Sequence, residues 1–309
     1  DGAATFFDQV GGEYAIANYT YNDAIIVHNY NGSGQFLNYD DLSISLSIPA
    51  NEGDFINKAA LDSNLDIYYA NSSIGSTYKI RRINLNGTRS TSEITGLLAW
   101  PTAMEVSPHS VLSTNLYVGL IDGQILKITN ADNAGATIDV LGQFAGSVSD
   151  IHIGETEDDI YVTYYNYGSS IINVFYSENG GTNWTNKEGN DGIGDLPDIP
   201  VYTILHNPYE AEEVIIGTEL GIWRTDNFTD TNPNWVSAYE GMSDVAVYDM
   251  VFRGPTALDN RVVAATYGRG IYVGSFSANT NPPISQTDSI TVAEGGTATT
   301  TTGGATSVL

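Results

Sequence analysis

The sequence contains no cysteine among its 309 residues, which excludes disulfide bonds and thiolate-bound metals as supports for its fold. Basic residues are also scarce, since 11 Lys and Arg stand against 37 Asp and Glu, for a formal net charge of −26. Nucleic acids and anionic membranes are bound through Lys and Arg, so neither is expected as a partner. No apolar run is long enough to span a bilayer. The acidity is typical of a secreted protein kept soluble by mutual repulsion.

Segments with a helical period of apolar residues are also missing, and a strand-based repeat takes their place. Six apolar segments recur as the second strand of the repeat: Ala24–His28, Leu65–Ala70, Asn115–Gly119, Asp159–Tyr165, Glu213–Gly217 and Arg261–Thr266. Their starts lie 41 to 54 residues apart, and a four-stranded propeller blade needs about 40–50 residues. The sequence therefore predicts an all-β fold, a β-propeller of four-stranded antiparallel blades. Small residues that end these strands are expected at the crowded inner edge of each blade.

One hairpin carries a more specific signal. The run from Ser177 to Trp184 reads Ser-Glu-Asn-Gly-Gly-Thr-Asn-Trp and follows an apolar strand. Ser177, Asn179, Gly181 and Trp184 stand at the spacing of the Asp-box, so the segment resembles the turn of sialidase-like propellers. Asn179 replaces the usual Asp of that motif, and Asn183 replaces a Thr. The resemblance implies a structural turn, with Asn179 bonded to turn backbone and Trp184 largely buried between blades.

The last repeat resembles the closing blade of sortilin-like and xyloglucanase-like propellers. It reads Ala-Ala-Thr-Tyr-Gly-Arg-Gly-Ile-Tyr over residues 264–272, and its signature positions are Thr266, Gly268, Arg269 and Gly270. The resemblance covers residues 1–276 as a repeat plan. Six blades are visible in the sequence, and related propellers often have seven or more. We therefore expect the N-terminal part of the propeller to be missing from this chain.

The composition changes after Phe276. Residues 277–283 read as a polar linker that ends in Pro282-Pro283, and residues 284–309 contain the sequence Val-Ala-Glu-Gly-Gly-Thr. That phrase is similar to the start of the cadherin-like repeats in giant bacterial adhesins, such as surface proteins of Bacteroidota. The resemblance implies calcium in these C-terminal repeats, with Asp288 and Glu294 as visible carboxylates, and no cofactor in the propeller. The alternative is a Thr-rich disordered stalk.

Catalytic patterns are weak. A sialidase needs three arginines from different blades, whereas Arg253, Arg261 and Arg269 fall in one repeat. A glucanase needs two carboxylates facing each other across a cleft. Asp150, Asp158 and Asp159 are the first candidates for such a pair, although residues 155–159 are more typical of a solvated turn. No catalytic residue is predicted.

The residues that could form a metal or sugar site can also be explained by structural roles. Histidines 28, 109, 152 and 206 lie in four different repeats without ligand spacing, so each is expected to be a strand or turn residue with satisfied ring nitrogens. Residues 130–134 alternate oxygen ligands without a completing Glu, which predicts a plain turn and no metal site. Five aromatic residues are candidates to stack on sugar rings, although most propeller aromatics pack between blades: Trp100, Tyr164, Tyr165, Tyr167 and Trp235.

The predicted function is that of a non-catalytic propeller module in a large secreted cell-surface protein. It would act in adhesion, gliding or surface-filament assembly after export by a type IX-like route. Its expected partners are cell-surface or secretion-apparatus proteins, or extracellular glycans, and insertion into the membrane is not expected. The alternative is a xyloglucanase- or sialidase-like glycoside hydrolase that acts on extracellular polysaccharide. A third alternative is a propeller that serves only as a rigid spacer or as a secretion-associated domain.

Overall fold

A computed structural model describes residues 3–168, 171–189, 192, 194–238, 241–242, 244–253, 261–276, 290–291 and 299–300. Residues Asp1–Phe276 form one compact unit, and Ser277–Leu309 form a second. The first unit is a β-propeller of six antiparallel blades, which confirms the predicted all-β fold. In every blade the strands pair in chain order, and the first strands of successive blades from the second onward contact each other at the centre of the ring.

The strands are labelled β1 to β23 in the propeller. Blade 1 contains Thr5–Phe7, Tyr14–Asn18, Ile25–Tyr30 and Phe36–Asp41 (β1–β4). Blade 2 contains Ala59–Asp62, Ile67–Asn71, Lys79–Asn84 and Ser90–Thr95 (β5–β8). Blade 3 contains Pro101–Val106, Leu116–Leu120, Gln124–Thr129 and Thr137–Gln143 (β9–β12).

Blade 4 contains Ser147–Ile153, Ile160–Tyr165, Val174–Ser177 and Thr185–Asn186 (β13–β16). Blade 5 contains Val201–Asn207, Glu210–Thr218, Gly221–Thr225 and Val236–Ser237 (β17–β20). Blade 6 contains Val247–Arg253, Arg261–Thr266 and Gly270–Gly274 (β21–β23), so three of its strands are described. Two short helical turns, Thr20–Asn22 (η1) and Leu42–Ser45 (α1), belong to blade 1.

The second strand of a blade is apolar along its length because neighbouring blades cover both of its faces. Every residue of β6 and β10 is buried, whereas the outer strands β4, β8 and β12 are mostly exposed or half-buried. A strand covered on both faces has a continuous apolar run rather than alternation. Because the second strands are buried on both faces, their apolar runs are the feature by which the repeat can be recognised in the sequence.

Five apolar cores join the six blades in succession, one between each consecutive pair. Glycine is required where an inner strand of one blade meets the next. A Cβ at Gly119 would lie 2.2 Å from Val148 of blade 4, and one at Gly217 would lie 2.8 Å from Val247 of blade 6. The prediction that small residues mark the crowded inner edge is confirmed at these two positions.

Blade 1 requires a correction. The sequence placed its second strand at residues 24–28, but this run lies in β3, the third strand of the blade. The true second strand is β2, which pairs with β1 on one side and β3 on the other. The error arose because both β2 and β3 are short apolar runs, separated by the tight turn η1. The other five predicted second strands overlap β6, β10, β14, β18 and β22.

Among the described residues, the first and last blades each leave an apolar face uncovered. In blade 6, Val251, Val263 and Val273 stand in one cross-strand row, and the side chains of Val251 and Val273 are exposed. In blade 1, Phe7 and Tyr39 are exposed. The cores described above cover the opposite face of each of these sheets. The expectation of seven or more blades stays a prediction.

In the second unit, Ile290–Thr291 (β24) pairs antiparallel with Thr299–Thr300 (β25). The predicted linker at 277–283 and the carboxylates Asp288 and Glu294 lie outside the described residues. The adhesin-repeat and stalk interpretations therefore both stay predictions. Among the helices of the described residues, none is long and apolar enough to cross a membrane.

Candidate functional site

A β-bulge near the start of the first strand recurs in four consecutive blades. Each bulge places one extra residue in the first strand opposite the end of the second strand: Thr102, Ser149, Tyr202 and Tyr248. A bulge turns the extra side chain out of the regular alternation of the strand. In blades 3 and 4 the hydroxyls of Thr102 and Ser149 donate to backbone carbonyls. The first strands of all blades begin at the same end of the propeller, here called the mouth. In blades 5 and 6 the bulge residue is a tyrosine, and its aromatic side chain lies at the mouth.

Five tyrosines form a continuous row across blades 4 to 6 at the mouth, here called the tyrosine ladder: Tyr167, Tyr165, Tyr202, Tyr248 and Tyr267. The centroids of successive rings are 6.2, 5.4, 4.4 and 5.9 Å apart. Four of the five side chains are 45–75% exposed, and Tyr202 in the middle is half-buried. Exposed aromatic rings in mutual contact are unusual on a surface without a binding role.

Polar groups surround the ladder. The hydroxyl of Tyr167 donates to Oε2 of Glu219 at 2.6 Å, and this bond raises the pKa of Tyr167 to about 12. Gly168 N donates to Oδ1 of Asp198 at 2.7 Å. Burial, together with a hydrogen bond to Tyr248, raises the pKa of Tyr202. The ladder is therefore apolar along its rings, and carboxylates stand at its blade 4–5 end.

Other exposed apolar side chains share the mouth, because they lie in loops that precede first strands or follow second strands. They are Phe55, Ile56, Leu98, Ile121 and Leu220. These residues come from blades 2, 3 and 5, so the apolar character of the mouth is not confined to the ladder.

Carboxyl groups from three blades meet at the centre of the ring, below the mouth. Burial, followed by repulsion from Asp150 and Asp249, raises the pKa of Glu105 to about 8. Burial also raises the pKa of Asp150 to about 7, although Asp150 Oδ2 accepts a hydrogen bond from Ile204 N at 3.0 Å. Desolvation by the surrounding blades raises the pKa of Asp249, although its side chain is in contact with solvent. Lys58 opposes the shifts of Asp150 and Asp249.

The structure separates the three carboxylates proposed from sequence. Asp150 belongs to the central group, whereas Asp159 lies at the opposite end of its blade and accepts from the hydroxyls of Thr156 and Tyr176. Asp158 lies beside Asp159 at that end of the blade, and its backbone carbonyl accepts a hydrogen bond from Gly180 N. The sequence missed Glu105 and Asp249. The signal for Asp249 was available, since it occupies the same position after the bulge as Asp150.

Three arginines of blade 2, Arg81, Arg82 and Arg89, make contacts that hold the fold together. Arg81 pairs with the fully buried Glu52 at 2.5 Å, within blade 2. Arg82 donates to the carbonyl oxygens of Ala131 and Asn133 in blade 3, and Arg89 pairs with Asp40 of blade 1 at 2.5 Å. In the last repeat, Thr266 Oγ1 donates to Gly270 O at 2.7 Å, and both Gly268 and Gly270 have positive φ. Arg269 lies in the turn between β22 and β23.

The Ser177–Trp184 hairpin has the hydrogen bonds expected of its turn. Gly181 N donates to Ser177 Oγ at 2.8 Å, and Asn183 N donates to Asn179 Oδ1 at 2.8 Å. The indole of Trp184 donates to Leu141 O of blade 3, and its half-buried side chain packs against the core between blades 3 and 4. The indole lies at the edge of the wedge between two blades, so solvent reaches part of it.

A second turn in blade 5 has the same design, which the sequence comparison missed. Asn227 N donates to Thr225 Oγ1, and Asn234 N donates to Asn227 Oδ1 at 2.9 Å. Trp235 closes the turn, is 2% exposed and donates to Lys187 O of blade 4. Three additional residues separate the Thr from the Trp, so the spacing differs from that of the hairpin in blade 4.

Two of the four histidines come together, and one ring nitrogen departs from the prediction that all would be satisfied. His152 Nε2 and His206 Nδ1 are 2.7 Å apart between blades 4 and 5. His206 Nε2 is buried with no hydrogen-bond partner among the described residues. Burial, and then the neighbouring His206, lowers the pKa of His152 to about 3. Burial also lowers the pKa of His206, against the attraction of Asp159.

The remaining aromatic candidates divide between core and surface. Tyr164 and Trp235 are buried, Trp100 is half-buried beside Tyr78, and Tyr165 and Tyr167 belong to the ladder. In the turn at 130–134, Asp132 accepts from Ser113 Oγ and Thr114 N. Within the described ranges, no group of three or more His, Cys, Asp or Glu side chains is arranged to hold a metal ion.

No protein-family model matches the chain, and a search among curated proteins gives no match. The functional argument therefore depends on the propeller fold, the tyrosine ladder and the central carboxyl groups.

Proposed function

We propose that this propeller is a non-catalytic binding module and that the tyrosine ladder is its binding surface. The observation that carries the proposal is the row of five tyrosines in contact across three blades, four of which are exposed. Tyrosine supplies a large rigid contact area at low cost in conformational entropy and adds a hydroxyl for hydrogen bonding. Two of these rings, Tyr202 and Tyr248, reach the mouth because of bulges in the strands that line the centre.

The biological setting in the proposal is a large secreted cell-surface protein that acts in adhesion, gliding or surface-filament assembly. Its partners at the ladder would be cell-surface or secretion-apparatus proteins, or extracellular glycans. The support is the net charge of −26 and the resemblance of residues 264–272 and 292–297 to modules of such proteins. Calcium in the C-terminal repeats belongs to the same proposal.

The second candidate is a glycoside hydrolase, and one observation favours it. Glu105 and Asp150 combine raised pKa values of about 8 and about 7 with a position below the mouth. Raised carboxyl pKa values are typical of general acids. Against this role, the carboxyl groups repel each other as one cluster, whereas hydrolysis needs one carboxyl group on each side of the scissile bond.

A binding assay with intact bacterial cells and immobilised polysaccharides tests the proposal. The full 309-residue chain should bind at least one of these surfaces, and the double variant Tyr202→Ala/Tyr248→Ala should lose that binding. Tyr39→Ala is the matched control, because Tyr39 is an exposed tyrosine on a different blade. Equal binding by all three proteins would contradict a role for the ladder.

The same preparations test the hydrolase. Sialosides and β-glucans should remain intact after incubation with the chain. Release of reducing sugar that disappears in Asp150→Asn would establish the enzyme and displace the binding module.

A further inference from the structure

The rings of the tyrosine ladder are tilted against each other, and this decides which ligand they can accept. Tyr202 and Tyr248 are 4.4 Å apart with an interplanar angle of 31°, so each covers part of the other's face. The flanking pairs are tilted by 41° and 52°. The ladder thus presents ring edges, hydroxyls and the clefts between rings, and it is not a flat platform.

Clefts between aromatic rings are the surface on which proline-rich peptides dock. We propose that the tyrosine ladder binds an extended, proline-rich peptide segment that carries lysine or arginine. This inference rests on the proposed binding function and names the class of its partner.

The spacing of the ladder fits a polyproline II helix. Such a helix rises about 3.1 Å per residue, so two residues advance about 6 Å. Three of the four steps between successive rings are 5.4, 5.9 and 6.2 Å, and the Tyr202–Tyr248 step is shorter at 4.4 Å. Successive dipeptides can therefore follow successive clefts, from Tyr267 on blade 6 to Tyr167 on blade 4.

Hydrogen bonding also favours a peptide. The carbonyl oxygens of a polyproline II helix have no partners within the helix. Tyrosine hydroxyls can donate to these oxygens. In the ladder the hydroxyl of Tyr167 already donates to Glu219, and Tyr202 and Tyr248 are hydrogen-bonded to each other, so a docked peptide would exchange these bonds for its own. Because the conformation exists before binding, the peptide loses little entropy when it docks.

The negative charge around the ladder favours basic residues between the prolines of the bound peptide. Glu219 accepts from Tyr167 at one end of the ladder, Asp198 lies beside Gly168, and Asp249 follows Tyr248 in the chain. These carboxylates attract Lys and Arg, whose cations also interact with aromatic rings. Anionic glycans would be repelled, and a neutral glycan would need the open ring faces that the tilted, mutually covered rings do not offer.

Calorimetric titration with short synthetic ligands tests the inference on the full chain. The probe is a peptide of four Pro-Pro-Lys repeats. Four Gly-Gly-Lys repeats keep its charge without the polyproline conformation, four Pro-Pro-Glu repeats keep its conformation with opposite charge, and a cello-oligosaccharide represents a neutral glycan.

The Pro-Pro-Lys peptide should bind, and the double variant Tyr202→Ala/Tyr248→Ala should weaken it by about tenfold or more, as expected for central aromatic residues. Tyr39→Ala should bind as the unmodified chain does. The variant Tyr202→Phe/Tyr248→Phe keeps the aromatic rings and removes only the hydroxyls, so it should lose only part of the affinity. This result would show that the alanine variant loses binding because the rings are absent and not because the protein is misfolded. Glu219→Gln should weaken the Pro-Pro-Lys peptide and leave the weak binding of the Pro-Pro-Glu peptide unchanged or improved.

Four results would overturn the inference. Equal affinity for the Gly-Gly-Lys repeats would show that charge alone accounts for binding. Unchanged affinity in the double alanine variant would show that the peptide binds at a site other than the ladder. Binding of the cello-oligosaccharide at the ladder without binding of the peptide would refute the peptide while the proposed binding function stands. If no probe binds, the peptide inference falls, and the cell-binding assay alone decides the proposed function.

Discussion

Blades 4 and 5 carry aromatic residues in two opposite settings. Between the two blades, Tyr161, Phe228 and Trp235 are buried in a wedge that also contains the histidine pair. At the mouth, Tyr165 and Tyr202 of the same blades lie in the ladder, where one is exposed and the other half-buried. Residue type therefore does not decide the role of an aromatic side chain in this fold. Whether the side chain faces a neighbouring blade does.

The difference follows from the geometry of a blade. Residues in the middle of the second and third strands face a neighbouring sheet, so their rings fill the gap between blades. Phe228 and Trp235 reach the same gap from the turn between β19 and β20, whereas the ladder tyrosines lie at the mouth, where no neighbouring sheet covers them. Substitutions in the wedge should accordingly change stability, and substitutions in the ladder should change binding alone.

The largest effect is expected from Trp235→Ala. The indole is 2% exposed and packs in the wedge, so its removal should cost about 3–5 kcal/mol of unfolding free energy, measured by urea titration. Trp184→Ala is the matched comparison in the corresponding turn of blade 4. Because Trp184 is half-buried, its loss should cost less, about 2 kcal/mol. Equal losses would show that the two turns do not differ in packing.

The histidine pair in the wedge should make the fold sensitive to acid. A buried histidine with a lowered pKa stabilises the fold above its unfolded pKa of about 6.5, and this stability is lost as pH falls toward the folded value of about 3 for His152. His206, Tyr161 and Asp159 face this group. Urea titrations between pH 7 and pH 4 should show the loss, at most about 1.4 kcal/mol per pH unit for each histidine.

The variant His152→Asn should flatten that acid dependence. His28→Gln serves as control, since His28 contacts Phe36 and Tyr39 in blade 1, and it should keep the original slope. A steep acid dependence that survives in His152→Asn would assign the effect to other groups.

The central carboxyl groups should make the fold less stable as the pH rises, which is opposite to the effect of the histidine pair. The pKa of Glu105 is raised to about 8, so its contribution is present below its unfolded value of about 4.3 and is lost as pH rises through 8. The variant Glu105→Gln should be more stable than the unmodified chain at pH 9 and similar to it at pH 5. If the two proteins differ equally at both pH values, ionisation of Glu105 is not the cause.

The smallest change in stability is expected at the ladder. Tyr248→Ala removes an exposed ring and should change the unfolding free energy by about 0.5 kcal/mol or less. Its effect should be seen in ligand binding, by the titrations described above. A loss comparable with that of Trp235→Ala would mean that the ladder stabilises the fold, and the contrast between the two regions would fail.

The sequence predicted the propeller because its second strands are continuous apolar runs, and such runs report burial on both faces directly. It failed in blade 1, where two short apolar strands flank a tight turn and periodicity cannot tell which is second. The turn ending at Trp235 was missed because three additional residues changed the motif spacing.

The functional residues were harder to predict for a different reason. The ladder and the central carboxyl groups join residues of different blades that lie up to 144 positions apart, in part through bulges that shift side chains out of regular alternation. Tyr165 and Tyr167 were selected from sequence because they are adjacent, whereas Tyr202, Tyr248 and Tyr267 are joined to them only by the ring of blades. The pairing of His152 with His206 has the same origin.

The uncovered faces of blades 1 and 6 have a consequence for how the molecule comes apart. Each inner blade is held by two interfaces, whereas each terminal blade is held by one of the five described cores. Stacked modules of this kind lose structure by fraying, and resistance to local opening is expected to increase toward the middle of the stack. Amide protons in β10 and β14 should therefore exchange more slowly than those in β2 and β22. The histidine wedge and most of the tyrosine ladder thus lie toward the more protected interior, and their geometry persists while the outermost sheets open and close.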